Sequence, residues 1–220
     1  MATIAATASV PLPTFVLRTA STKYDFRLSM KQTCPGEAAD SIGCAGKAVL
    51  HVLDKNEREL QAIALDEAWV MFDAHGQPLA DSAALYDDQG TINVGDFDFD
   101  GREDFAVQID QSGPYGGPTF DVYLHVPGEE RFVRSDALSQ LTRDSLGFFR
   151  VDAARKRLVT FSKSGCCYHV TEENEVVRGK PNVVRREIED ATAGDGFVVD
   201  TEETRVGGKW RKRSRRVPVQ

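Results

Sequence analysis

Short apolar segments recur along the chain, most of them alternating apolar and polar positions and separated by turn residues. They are "FVLRTA" (15–20), "YDFRLSM" (24–30), "AVLHVLD" (48–54), "LQAIAL" (60–65), "FAVQID" (105–110), "FDVYLHV" (120–126), "GFFRVDA" (147–153), "RLVTFSK" (157–163) and "EVVRG" (175–179). Their length and their Val, Phe and Leu content predict strands. The stretch 149–161 reads as a hairpin with Val151 and Val159 in its arms and "DAARKR" as its loop. The stretch 197–217 reads as further strands joined at Gly207–Gly208. Helical patterning is confined to "DSAALYDD" (81–88) and "SDALSQLTRDS" (135–145), the second with Ser135 or Asp136 placed to cap it. The predicted fold is all-β, an irregular propeller-like or sandwich arrangement of hairpins with one or two short helices. It must close or stack its sheets to protect their edges. Residues 14–220 read as a single domain, preceded by a disordered start or signal remnant at 1–13.

Composition narrows the function. A hydrophobic content of 41% supplies a core, and a net charge of −7 argues against a general nucleic-acid binder. The exception is local: Arg205, Lys209, Arg211, Lys212, Arg213, Arg215 and Arg216 fall together with no acid among them. That segment reads as a solvated edge strand around Trp210, or as a patch for an anionic partner. No apolar run approaches the roughly 18–20 residues needed for a membrane span. "MATIAATASVPLP" lacks a basic leader and a full apolar stretch, so it reads as a remnant of a removed signal or an artificial start; "ATA" before Ser9 suits cleavage.

The four cysteines form no CxxC pair and the four histidines are dispersed, which disfavours zinc. An even count without metal spacing suits an oxidising compartment. Cys34 and Cys44 are expected to close a loop. The adjacent Cys166 and Cys167 are left open: a bridge to each other, pairing with the other two, or partly free.

"DFDFDGRED" (96–104) gathers five carboxylates into nine residues. Asp96, Asp98 and Asp100 stand at positions 1, 3 and 5 of a loop, Gly101 at 6, the Arg102 carbonyl at 7 and Asp104 at 9. This is the spacing with which oxygens converge on a hard cation, and Ca²⁺ is the expected cofactor. Gly101 permits the reversal in mid-loop, and Phe97, Phe99 and Phe105 anchor it. Position 12 is Val107 rather than Glu, and a strand follows rather than a helix, so this is no ordinary EF-hand. The loop resembles the calcium loops of integrin-type (FG-GAP) propeller repeats.

From Phe105 to Asp110 a strand covers about 20 Å at roughly 3.3 Å per residue, which puts the next loop, "DQSGPYGGPTF" (110–120), at the opposite end. Its glycines and prolines predict a tight protruding turn with Tyr115 near the tip. Tyr115 either anchors an interface or folds back on the sheet. Ser112-Gly113-Pro114-Tyr115 resembles the SGxY motif of periplasmic inhibitors of invertebrate-type lysozyme. Together with the acidic loop and with "FSKSGCCYH" (161–169), it resembles the periplasmic immunity proteins of the Xanthomonas bacteria-killing type IV secretion system. The resemblance implies a non-enzymatic, periplasmic inhibitor whose partner is a lysozyme-like peptidoglycan glycoside hydrolase. By it, Ser112 hydrogen-bonds a catalytic carboxylate, Tyr115 fills a sugar subsite, and Gly113, Gly116 and Gly117 shape the loop. Ser164-Gly165 reads either as a second contact loop or as a structural turn.

No G-x-S-x-G, HExxH or P-loop is present, and His125 and His169 lie within strand-like runs, which argues against catalysis. The alternative is a calcium-stabilised glycan-binding or adhesion module that stacks Tyr115 directly on a sugar.

Overall fold

A computed structural model describes residues 12–32, 43–72 and 90–219. In chain order the strands are β1 (Thr14–Leu17), β2 (Tyr24–Met30), β3 (Gly43–Asp54), β4 (Glu59–Met71), β5 (Ile92–Gly95), β6 (Asp104–Asp110), β7 (Thr119–His125), β8 (Phe132–Arg134), β9 (Arg150–Asp152), β10 (Arg157–Ser164), β11 (Tyr168–Val177), β12 (Lys180–Asp190), β13 (Phe197–Val206) and β14 (Lys209–Pro218), with helix α1 at Asp136–Arg143. They form three antiparallel sheets, β1-β2-β3-β4, β5-β6-β7-β8 and β14-β13-β12-β11-β10-β9. Among the described residues the fold is all-β with one short α-helix and no closed barrel. Among the described residues no helix is long and apolar enough to cross a membrane. The expected helix at 81–88, the segment 1–11 and Cys34 lie outside the described residues.

The middle sheet is covered on both faces. Phe105 and Val107 of β6 and Tyr123 of β7 point into a first core, with Phe26, Leu28, Leu50 and Val52 of the first sheet. Ala106, Phe120 and Val122 point the other way, into a second core with Leu138 of α1, Phe148, Phe149 and Leu158. Period-two alternation therefore feeds two cores from one strand, and β6 is fully buried over its first five residues. Gln61 stitches the first two sheets by donating to the Phe132 carbonyl (3.0 Å) and accepting from its N–H (2.7 Å).

The expected hairpins form. Val151 pairs with Leu158 and Arg150 with Val159 across β9 and β10, and β13 and β14 turn at Gly207–Gly208. Ser135 caps α1, its side chain accepting from the Leu138 N–H. Strand β12, "KPNVVRREIED", carried no strand signal in its charge-rich pattern. It is held by cross-strand ion pairs instead: Glu173 accepts from Arg155 (2.8 Å) and Arg185 (2.9 Å), Arg185 also reaches Glu202 (2.9 Å), and Arg186 reaches Glu172 (2.6 Å).

Phe105 touches Phe26, Tyr123 and Phe132 at ring-centroid distances of 5.1, 5.0 and 4.9 Å. Phe105→Ala is therefore expected to cost about 3–5 kcal/mol, read as a lower midpoint in urea denaturation.

Candidate functional site

Two loops leave opposite ends of β6. The acidic loop precedes it. Phe97 drops into the second core against Phe148 (5.4 Å) and Phe149 (5.3 Å) and pins the loop from below. Asp96 caps the loop from inside, accepting from the backbone N–H groups of Asp100 (3.0 Å) and Gly101 (2.9 Å). Gly101 takes φ 89°, the left-handed backbone the reversal requires. Asp104, buried, accepts from the Phe97 N–H (2.8 Å) and the His125 N–H (2.9 Å).

Of the five carboxylates, Asp96, Asp98 and Asp104 converge, each offering an oxygen within 4.8 Å of the others. Oxygens facing each other across a Ca²⁺ ion, with bonds of about 2.3–2.6 Å, lie roughly 4.6–5.2 Å apart, so this set fits such an ion. The Asp100 carboxylate turns to the Arg102 guanidinium (2.7 Å), and Glu103 accepts from Ser21 (2.9 Å). The convergence is electrostatically costly. Burial, then the charges of Asp100 and Asp96, raises Asp98 above the ordinary carboxylate range. Burial lifts Asp104 to about 7 against two opposing backbone hydrogen bonds, and the charges of Asp98 and Asp96 add to the rise.

The second loop follows β6. Asp110 builds its base: one carboxylate oxygen accepts from the Ser112 N–H (2.8 Å), the Ser112 hydroxyl (2.7 Å) and the Thr119 hydroxyl (2.6 Å). Burial pushes this carboxyl upward, but the Thr119 and Ser112 hydrogen bonds outweigh it and hold it below its ordinary value. The loop closes through the Gly113 N–H on the Gly117 carbonyl (3.0 Å). A Cβ at Gly113 would sit 2.9 Å from that carbonyl oxygen, so the closure needs glycine. A single 3₁₀ turn, Pro114–Gly116, makes the tip.

Tyr115 stands at the tip with φ 57° and 63% of its surface exposed. A left-handed backbone at a bulky residue is strained, and such strain gathers at functional sites. The ring neither folds into the sheet nor projects without support. Its hydroxyl accepts from the Gly165 N–H (2.7 Å), and the Lys163 ammonium lies 4.8 Å from the ring centroid. Gly165 opens the β10–β11 turn, where Cys166 and Cys167 form a disulfide with each other. The Cys167 carbonyl accepts from the Ala191 N–H (2.7 Å). The two Ser-Gly loops thus share one surface, a contact across 50 positions. Their repeated dipeptide was the one sign of it in the sequence. Cys44 is buried in β3, and its expected partner Cys34 lies outside the described residues. The His125 ring packs edge-on against Phe132, and the His169 ring faces Glu189.

No protein-family model matches the chain, and no curated protein matches it either. Among solved structures it is similar to a Xanthomonas type IV secretion system related protein, with a TM-score of 0.70 and 20% identity over 92% of this chain and 93% of that one. The likeness establishes a shared all-β fold over nearly the whole length of both.

Chelator-treated protein should show the Asp104 proton in its stability. A folded-state pKa near 7 lies above the ordinary 3.8, so the folded chain keeps a proton that the unfolded chain releases. The stabilisation is full below the lower value and is lost as pH rises through the upper. Denaturation in chelator should therefore show stability falling between these limits, and Asp104→Asn should flatten that slope.

Proposed function

We propose that this protein is a periplasmic immunity factor that inhibits a lysozyme-like peptidoglycan hydrolase, an effector of a type IV secretion system, by inserting the Ser112–Tyr115 loop into its cleft. The carrying observation is Tyr115: exposed, held in a left-handed backbone at a narrow tip, and braced by Gly165. An exposed aromatic whose geometry is already set loses little freedom on binding, which is what an interface anchor needs. The type IV secretion assignment draws on the shared fold with the Xanthomonas protein and on the sequence resemblance.

Glycoside hydrolases flank the scissile bond with a carboxylic acid and a carboxylate. The Ser112 hydroxyl donates its hydrogen bond to Asp110 (2.7 Å), so its oxygen lone pairs are free to accept. It is matched to the protonated member of that pair. Tyr115 covers a sugar subsite with its ring. No bond is made or broken, so the inhibitor needs no nucleophile or base of its own.

The acidic loop, in this reading, holds calcium through Asp96, Asp98 and Asp104, with Asp100 and the Arg102 carbonyl completing the loop's ligand positions. The ion would supply the charge that three converging carboxylates lack, and would stiffen the end of β6 remote from the tip. Its role is structural.

Tyr115→Ala is expected to weaken inhibition of the target hydrolase in a cell-wall lysis assay by about thirtyfold or more, the roughly 2 kcal/mol of a central aromatic anchor. The melting temperature should stay nearly unchanged; unaltered inhibition would refute the reading. Calcium at about a hundred times its dissociation constant should stabilise the protein by about 2.7 kcal/mol, seen as a higher melting temperature than in chelator. Asp98→Asn should abolish that difference.

A further inference from the structure

In an antiparallel sheet alternate turns emerge from the same end. The β9–β10, β11–β12 and β13–β14 turns therefore leave the six-stranded sheet together, at the end away from Gly165. Each turn is basic: Lys156 and Arg157 in the first, Arg178 and Lys180 in the second, Arg205 and Lys209 in the third. One shallow depression is lined by Arg157, Glu175, Val177, Arg205 and Gly208, which places the three turns side by side. Glu175 is the acid within the depression, and the acids around it are already engaged. Arg155 takes Asp152 and Glu173, and Arg186 and Lys212 take Glu203. None of the six turn cations has an ion-pair partner among the described residues; Arg157 donates to backbone carbonyls. On a chain of net charge −7, this end is a concentrated positive pole.

It is also apolar. Val177, Val206 and Trp210 are 48%, 45% and 42% exposed, interleaved with the cations. Trp210 lies over the Arg186 guanidinium (5.0 Å). Cations around exposed aliphatic and indole groups match the headgroup region of a bilayer, where charged heads meet phosphate and apolar stems enter the interface.

We propose that this end of the sheet docks the protein on a membrane surface rich in anionic phospholipid headgroups. Each Lys or Arg close to such a surface strengthens binding about fivefold, an effect screened by salt. Three turn tips side by side make a flat array suited to a plane of headgroups. Nucleic acid would gain from the cations but not from Val177 and Val206. The docked orientation turns Tyr115 outward, because β10 carries Arg157 at the basic end and Ser164 at the other, about 23 Å away at roughly 3.3 Å per residue. The docking itself does not depend on what Tyr115 binds.

The test is co-sedimentation of the full chain with vesicles of phosphatidylcholine, with and without phosphatidylglycerol. The protein should bind the anionic vesicles alone, with retention falling as salt rises and a blue shift of emission that Trp210→Phe removes. The triple variant Lys156→Asn, Arg178→Asn, Lys209→Gln should bind on the order of a hundredfold more weakly. Asparagine suits the first two sites because both have φ 53°. A control triple, Lys23→Gln, Lys31→Gln and Lys47→Gln, changes net charge equally and should stay within about twofold of the parent. Failure of the parent to bind anionic vesicles overturns the proposal, as does equal binding to neutral ones. So does an equal loss in the control, or tighter binding to a DNA oligonucleotide than to vesicles.

Discussion

The burial of β6 on both faces is the constraint from which the rest of the structure follows. Its side chains alternate into two cores, Phe105 and Val107 on one side, Ala106 on the other. A one-residue slip would exchange the two sets and misfit both. The strand's register is therefore fixed, and so are the positions of the loops at its two ends. One loop gathers carboxylates and the other raises Tyr115. The first must be drawn together against charge repulsion, and the second must hold a strained backbone. Both depend on a strand that cannot move.

The periphery follows a different economy. The outer strands β12 to β14 have little core to rest on, and both their faces meet solvent. Charge pairing across neighbours replaces apolar contact there, with Arg185 and Arg186 each reaching more than one carboxylate. Single surface pairs contribute little, but a network ordered by strand geometry holds register. Where the network stops, at the three basic turns, charge is left over. That surplus is a recognition resource rather than a stabilising one.

Legibility in the sequence tracks burial. Strands with one or two covered faces, such as β2, β6, β7 and β10, announce themselves by apolar periodicity, and Ser135 marks the start of α1. The β13–β14 hairpin is legible from Gly207–Gly208. Strand β12 is not, because with both faces wet its pattern is one of charges rather than of alternation. In the acidic loop the spacing of Asp96, Asp98 and Asp104 is readable, but not the turning of Asp100 toward Arg102, which depends on a local ion pair. The Tyr115–Gly165 contact joins segments far apart in the chain, and beyond the repeated Ser-Gly dipeptide nothing in the sequence points to it. The pairing of Cys166 with Cys167 was one of several arrangements the sequence allowed, and the structure shows it.

The central claim is that the paired loops at one end of the molecule meet the target. Amide hydrogen exchange on this protein, alone and with the proposed target hydrolase, tests it most directly. The account predicts slowed exchange at Tyr115, Gly116 and Gly117 and at Gly165 to Cys167 on addition of the enzyme, with the acidic loop unaffected. Protection confined to another surface, with these amides exchanging as fast as in the free protein, would contradict it.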